Sequence, residues 1–547
     1  MKRLATAVLL AATMLAIGGQ LVPETEPTAM VSTSSSIESR AASRPNVLVI
    51  MTDDMRYDEL AYVPVVRQRV LDRGLLWTNA FSTTPLCCPA RASFLTGKLE
   101  HNHGVLSHRK PWGYQAFDDS TTLATALRQQ GYQTGFVGKY LNGYGPDAPR
   151  EAPGLAHSFT YVPHGWTDWR GSVDDTPYPA GDPRDGGTYN YRRMTLNVNG
   201  HLVGHRGEYS ADVVTDNTNA ILRRFHQKPA PWFVVVNPVA PHFGGPPEQD
   251  DPLPGFKTPA RPDWVKNLYD DVIVRAPGIP TGPTEADVSD KVSSTRKRTE
   301  LGPVDRKSVT EIARQRAESL RALDRSLASV FQQLADSGEL ANTLIVFTSD
   351  NGYMLGEHHW RQGKTVGYDP SYRIPMLMAG PGVPHGVRST PITLVDLSAT
   401  ILRWTGASLP DVDGRSMVPD IAEDHGWNRP LVYESRFTGM HYRDGVQGFD
   451  QRTAIGVRTA RYMFVRYSNG QSELFDLLRD PLEMRSVHRW PSYAGVRSKL
   501  MAVWRQLSYC KRAGCRPLLP ASLQSDVATT TKLRDLLTSA QAHYYGS

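Results

Sequence analysis

Asn46-Val47-Leu48-Val49-Ile50-Met51 runs directly into Thr52-Asp53-Asp54. The five consecutive apolar residues after Asn46 read as a buried parallel strand, and the two carboxylates stand at its carboxyl end. Three more runs repeat the plan. Residues 343–348 lead to Ser349-Asp350-Asn351-Gly352, residues 232–236 to Asn237 and then Pro241-His242, and residues 133–137 to Gly138-Lys139. Open α/β sheets bind ligands beyond the carboxyl ends of their strands, so four polar strand ends predict one shared crevice. Asp53, Asp54, Asp350 and Asn351 offer only oxygen donors, the set for a hard cation, Ca²⁺ with Mg²⁺ as the alternative. An aspartate pair after a strand also serves as a cap or a turn, which is the competing reading.

The second informative stretch is Leu86-Cys87-Cys88-Pro89-Ala90-Arg91-Ala92-Ser93-Phe94-Leu95-Thr96-Gly97. Pro89 suits a first helical turn, residues 90–95 are helix-compatible, and Gly97 is a natural stop. Cys87 is therefore expected at a helix N-terminus, where free N–H groups and the positive dipole end favour an anion. Without context, the default is a buried cysteine pair on an ordinary helix.

The stretch resembles, without a gap, the activation signature of the type I sulfatases. The resemblance implies that a maturation enzyme oxidises Cys87 to formylglycine, whose hydrate attacks sulfur and later expels sulfate, splitting one difficult displacement into two. It implies Ca²⁺ held by Asp53, Asp54, Asp350, Asn351 and residue 87, acting as a Lewis acid. It places Arg91, Lys139, His242 and Lys364 around the sulfate, with a protonated Lys364 or His242 as acid for the leaving alkoxide. His358 and His359 are either near the site or plain loop. The implied fold is α/β: an alkaline-phosphatase-like large domain with a mostly parallel mixed sheet flanked by helices, and a smaller C-terminal α+β domain with an antiparallel sheet.

Within the family, residues 87–91 with His101-Asn102-His103, residues 138–145, Pro163-His164-Gly165-Trp166 and Trp169 are similar to the N-acetylglucosamine-6-sulfatases and their extracellular heparan 6-O-sulfatase relatives. The implied substrate is the 6-O-sulfate of N-acetylglucosamine or glucosamine in a glycan, or a small sulfate ester. One departure stands out. Many arylsulfatases carry a histidine two positions after the lysine of the GK pair, where this chain has Leu141. The base that expels sulfate is then unassigned, and Asn142 cannot be a base at neutral pH. Two other readings keep the fold: an arylsulfatase or phosphodiester or phosphonate monoester hydrolase, and a catalytically silent binder of sulfated glycans.

The 547 residues exceed one ordinary core, and the formal charge of +6 suits a polyanionic partner. Neither a nucleic-acid motif nor a block of like charges is present. Lys2-Arg3 and an apolar run to Ile17 read as a signal peptide, 1–22. That run is short for a span of about 20 residues, so secretion or the cell envelope is expected, without stable membrane insertion. A Ser/Thr/Pro-rich linker, 23–44, a catalytic unit, 45–430, and a C-terminal subdomain, 431–547, follow. Residues 453–459 and 462–467 read as strands and 493–507 as a helix. Of four cysteines, Cys510 and Cys515 are spaced to close a small disulfide loop.

Overall fold

The computed structural model describes residues 44–282, 285, 287–436 and 449–545. The expected signal peptide and all of the expected linker but its last residue lie outside them. The chain forms the strands β1 (Asn46–Thr52), β2 (Leu75–Trp77), β3 (Gln133–Lys139), β4 (Asp168–Ser172), β5 (Arg193–Val198), β6 (His201–Arg206), β7 (Trp232–Asn237), β8 (Thr343–Ser349), β9 (Met376–Ala379) and β10 (Gly386–Arg388). They make one ten-stranded sheet in the order β10-β2-β9-β8-β1-β7-β3-β4-β5-β6. Its centre, from β8 to β4, is parallel, and antiparallel pairs flank it on both sides.

The apolar run of β1 shows why this strand is central. Val47, Val49 and Met51 enter the core on one face of the sheet, and Leu48 and Ile50 that on the other. On the first face lie α1 (Cys87–Thr96), α2 (Leu123–Gln129) and, later in the chain, the helix Leu394–Thr405. The second face is covered by α3 (Ser210–His226) and α4 (Pro303–Asp336), whose Leu320, Leu323, Leu327, Phe331 and Leu334 form the expected apolar stripe. Helix α1 begins at Cys87 itself, with Pro89 inside the first turn where its missing N–H costs nothing, and ends at Gly97 with φ 66°.

The C-terminal part is a four-stranded antiparallel sheet, Leu431–Ser435, Ala454–Arg458, Tyr462–Tyr467 and Ser472–Asp476, with the helix Ala494–Leu507 packed on it. Trp504 ties the two by donating from Nε1 to the Ile455 carbonyl at 3.0 Å. Cys510 and Cys515 are joined by a disulfide, and Cys87 and Cys88 are free. The tail, which shows no clear pattern in sequence, forms the helix Val527–Tyr545 and returns to the large sheet's loops, where Gln541 accepts from the Tyr57 hydroxyl at 2.5 Å. Among the described residues no helix is long and apolar enough to cross a membrane.

Register brings the polar strand ends level. Thr52 is paired with Ser349 and Gly138 with Asn237, so Asp53, Asp350 and Lys139 leave the sheet at the same edge. Gly138 sits at φ +94°, and a Cβ there would stand 2.2 Å from the Asn237 carbonyl oxygen. Only glycine lets β3 bend at that point and turn Lys139 inward. The substitution Gly138→Ala is expected to cost about 2–4 kcal/mol, from backbone strain and overpacking together, read as a lower urea midpoint. A midpoint equal to wild type would show that the bend carries no such constraint.

Candidate functional site

At the carboxyl edge of the sheet, Cys87 is fully buried at the first turn of α1. Its Sγ lies 3.2 Å from Asp53 Oδ1, 3.6 Å from Asp54 Oδ1 and 2.6 Å from Lys364 Nζ. Asp53 and Asp54 follow β1, and Asp350 and Asn351 follow the adjacent β8. Asp350 Oδ1 accepts from the backbone N–H of Asp54 at 3.0 Å, and Asn351 Nδ2 donates to Asp54 Oδ1 at 2.7 Å. The ligand atoms of Asp53, Asp54, Cys87 and His242 all lie within 4.8 Å of one another.

Cations interleave with these carboxylates. Lys139 Nζ donates to Asp53 Oδ2 at 2.6 Å, with neither side chain accessible. Arg91, one turn along α1 from Cys87, bonds Asp350 Oδ2 through Nε at 2.8 Å and the Lys139 carbonyl through Nη1 at 2.9 Å. Its Nη2 is buried without a hydrogen-bond partner, 3.9 Å from Asp53 Oδ1. Lys364 is held by Asp54 Oδ1 and lies 3.5 Å from Asn351 Oδ1. His242 places Nε2 3.7 Å from Asp54 Oδ2 and bonds the Phe243 carbonyl through Nδ1 at 2.7 Å. A carbonyl only accepts, so Nδ1 carries the hydrogen, and the neutral ring presents a lone pair at Nε2.

The electrostatics follow from burial against pairing. Burial would raise the Asp54 carboxyl, but Lys364, His242 and Lys139 together hold it well below the usual range. Burial works against the charged form of Lys139 and of Lys364 as well, yet Asp53 and Asp54 respectively keep each protonated. Burial pushes His242 down to about 3, so it is uncharged. For Cys87, burial and then Asp53 drive the thiol well above its ordinary value. A cysteine nucleophile needs the opposite shift, so this environment disfavours the thiolate.

Two observations fit a divalent cation. Asp54 Oδ2 is buried with no hydrogen-bond partner, and burial raises Asp350 even with Arg91 beside it. Both mark a hard-oxygen donor set short of positive charge.

All nine residues singled out in the sequence thus converge: Asp53, Asp54, Cys87, Arg91, Lys139, His242, Asp350, Asn351 and Lys364. His358 and His359 do not join them. His358 bonds Glu285 Oε2 at 2.7 Å and stacks on Tyr368, and His359 bonds the Glu285 carbonyl at 2.9 Å. Sequence reasoning passed over Tyr189, whose hydroxyl accepts from Asn142 at 2.5 Å and whose ring lies against Lys139 and His242. It also missed Arg316 on α4, which braces the Asp54 carbonyl at 2.6 Å and pairs with Glu59 at 2.7 Å. Neither carries a spacing signal, because each arrives from an element whose own pattern is that of packing.

The Sulfatase family model matches residues 45–407, and the model of the N-sulphoglucosamine sulphohydrolase C-terminal region matches residues 356–509. Human N-acetylglucosamine-6-sulfatase is 30% identical over 428 residues, which cover 73% of this chain and 69% of that protein. The Drosophila melanogaster extracellular sulfatase SULF-1 homolog is 30% identical over 399 residues, 71% of this chain; the chain spans only 32% of that relative's length. Among solved structures, one described as a complex with its substrate D-glucosamine-2-N,6-O-disulfate aligns with TM-score 0.63 at 20% identity, covering 84% of this chain and 97% of the other. The phosphonate monoester hydrolase of Agrobacterium radiobacter aligns with TM-score 0.61 at 22% identity, covering 88% and 99%. At these identities the two structures speak for the fold.

The Lys139–Asp53 pair is the deepest contact of the site. Lys139→Met is expected to cost about 3–5 kcal/mol, because it strands a buried carboxylate. Chemical unfolding of the metal-free protein measures it, and a loss below about 1 kcal/mol would remove the pair from that role.

Proposed function

Because the chain belongs to the sulfatase family of sulfuric ester hydrolases, we propose that it is a secreted enzyme removing the 6-O-sulfate of N-acetylglucosamine or glucosamine in a glycan. The observation that carries the reading is the ring of three buried carboxylates and three cations around the buried Cys87. A side chain so placed, with its thiolate disfavoured by burial and Asp53, makes sense as the precursor of formylglycine. The glycan and its sulfate position rest on the relatives named N-acetylglucosamine-6-sulfatase, and export on those named extracellular sulfatases. The division into a catalytic unit, 45–430, and a C-terminal unit, 431–547, belongs to the same proposal.

Asp53, Asp54, Asp350 and Asn351 would hold Ca²⁺, which when bound supplies Lewis-acid charge to the reacting oxygens. Arg91 has Nη2 free to donate to a sulfate oxygen, and Lys139 adds positive charge from the adjacent strand end. Lys364 is the group best placed to protonate the leaving alkoxide: its ammonium lies beside Cys87, whereas neutral His242 has its only N–H committed to Phe243. His242 Nε2 is an acceptor, suited to orienting a hydroxyl rather than to giving up a proton.

The test uses protein from a host able to mature it. The peptide holding residue 87 is expected to have the mass of formylglycine or its hydrate, and the protein to release sulfate from N-acetylglucosamine-6-sulfate. Release from an aryl sulfate alone, hydrolysis of a phosphonate monoester in preference, or binding without release would each replace the reading with one of the alternatives. Ca²⁺ is expected to bind in calorimetry and to raise the unfolding midpoint. Asp54→Ala should abolish both effects, and an unchanged titration would exclude Asp54 as a ligand.

A further inference from the structure

Accessibility around Cys87 rises towards two residues. Asp53, Asp54, Asp350 and Lys139 have wholly inaccessible side chains and Arg91 exposes 2%, whereas Lys364 exposes 10% and His242 7%. The way in to Cys87 therefore lies past Lys364 and His242.

The loops that carry those two residues meet at Lys257. After β7 the chain passes through His242 and Phe243, makes a Pro-rich excursion, and returns to Gly244. There the Gly244 N–H donates to the Thr258 carbonyl and the Ala260 N–H donates to the Gly244 carbonyl, each at 3.0 Å. From the other loop Gln362, two residues before Lys364, clamps the backbone of Lys257 on both sides. Its Oε1 accepts from the Lys257 N–H at 2.8 Å, and its Nε2 donates to the Lys257 carbonyl at 3.0 Å. The same amide donates to the Tyr353 hydroxyl at 2.9 Å, and Met354 and Gly363 are joined backbone to backbone at 2.7 and 3.3 Å. Position 257 is thus fixed to both sides of the entrance.

The Lys257 side chain is exposed, yet it is held over an aromatic face. Its Nζ lies 4.6 Å from the centre of the half-buried Phe243 ring, which itself lies 4.1 Å from the His242 ring. Tyr189, His242 and Phe243 form one wall of rings. Buried Lys139 stands against its inner end, 5.0 Å from the Tyr189 ring, and Lys257 stands against its outer end. Nearby carboxylates are committed elsewhere: Asp251 accepts from the Thr258 hydroxyl and the Glu248 N–H, both at 2.8 Å, and Asp305 pairs with Arg361 at 3.0 Å. Among the described residues no carboxylate pairs with the Lys257 ammonium. A cation fixed at an entrance without a counter-ion favours whichever substrate brings the negative charge.

We propose that Lys257 determines substrate choice by binding a second anionic group of the glycan, a sulfate or a carboxylate, on the sugar that carries the scissile sulfate or on its neighbour. The inference rests on the sulfated-glycan reading above. No bond is made or broken at Lys257, which acts through binding alone.

The experiment compares three probes with Ca²⁺ present: N-acetylglucosamine-6-sulfate, glucosamine-2-N,6-O-disulfate, and N-acetylglucosamine-6-sulfate linked to a uronic acid. Formylglycine content and unfolding midpoint are checked first for every variant. Wild type is expected to prefer at least one of the two dianionic probes through a lower KM. Lys257→Gln should lose about tenfold more in kcat/KM on that probe than on the monosulfate. Lys257→Arg should keep most of the preference, and added salt should shrink it in wild type. The probe that shows the effect identifies the second anion as sulfate or carboxylate. Equal losses on all three probes, or a preference left intact by Lys257→Gln, would overturn the inference while leaving the enzymatic reading in place. Calorimetric binding of the same probes to Cys87→Ala separates the two failures. If wild type releases no sulfate, yet Cys87→Ala prefers a dianionic probe and the added Lys257→Gln removes that preference, the enzymatic reading falls and the role of Lys257 stands. No preference in either assay removes that role.

Discussion

The structure depends on the mutual compensation of six charges buried at one end of a sheet. Asp53, Asp54 and Asp350 are inaccessible, and Arg91, Lys139 and Lys364 lie among them. Removing any one of these ions from water costs several kcal/mol, recovered only when its partner is in place. The partners come from five separate stretches of chain, so the charges are tolerable only when β1, β3, β8, α1 and the loop after β8 have all arrived. That requirement makes the register of the central strands a condition for the site, and the site a condition for burying those strand ends.

A second layer holds the first. Arg56 donates to the Tyr353 carbonyl at 2.6 Å and to Glu357 at 2.8 Å, linking the segment after β1 to that after β8. Arg316 does the same between β1 and α4 through Glu59 and the Asp54 carbonyl. Both guanidiniums are almost wholly buried and multiply bonded, the use for which a rigid planar fork is suited. The long α4 therefore does more than cover a sheet face with its apolar stripe; its buried Arg316 also steadies the carboxylates that neutralise the lysines.

The cost of this arrangement is a cysteine whose thiolate is disfavoured. Helix N-termini and neighbouring lysines normally lower a thiol pKa, but here complete burial and Asp53 prevail. The proposed formylglycine, neutral and hydrated, would suit this field better than a thiolate.

Much of this was legible in the chain alone. Residues 46–54 identify a buried strand ending in carboxylates, because only a doubly covered strand tolerates five apolar residues in a row. The run from Leu86 to Gly97 places a cysteine at a helix start, because the proline and glycine positions are local rules. Such signals depend on neighbours in sequence, and so do the disulfide between Cys510 and Cys515 and the helix over 494–507. The return of the tail as the helix Val527–Tyr545, the bracing by Arg316 and the exclusion of His358 and His359 by Glu285 were not legible. These are settled by which charged or polar atoms find partners once distant segments meet, and chain closure over hundreds of residues leaves no periodic mark in the sequence.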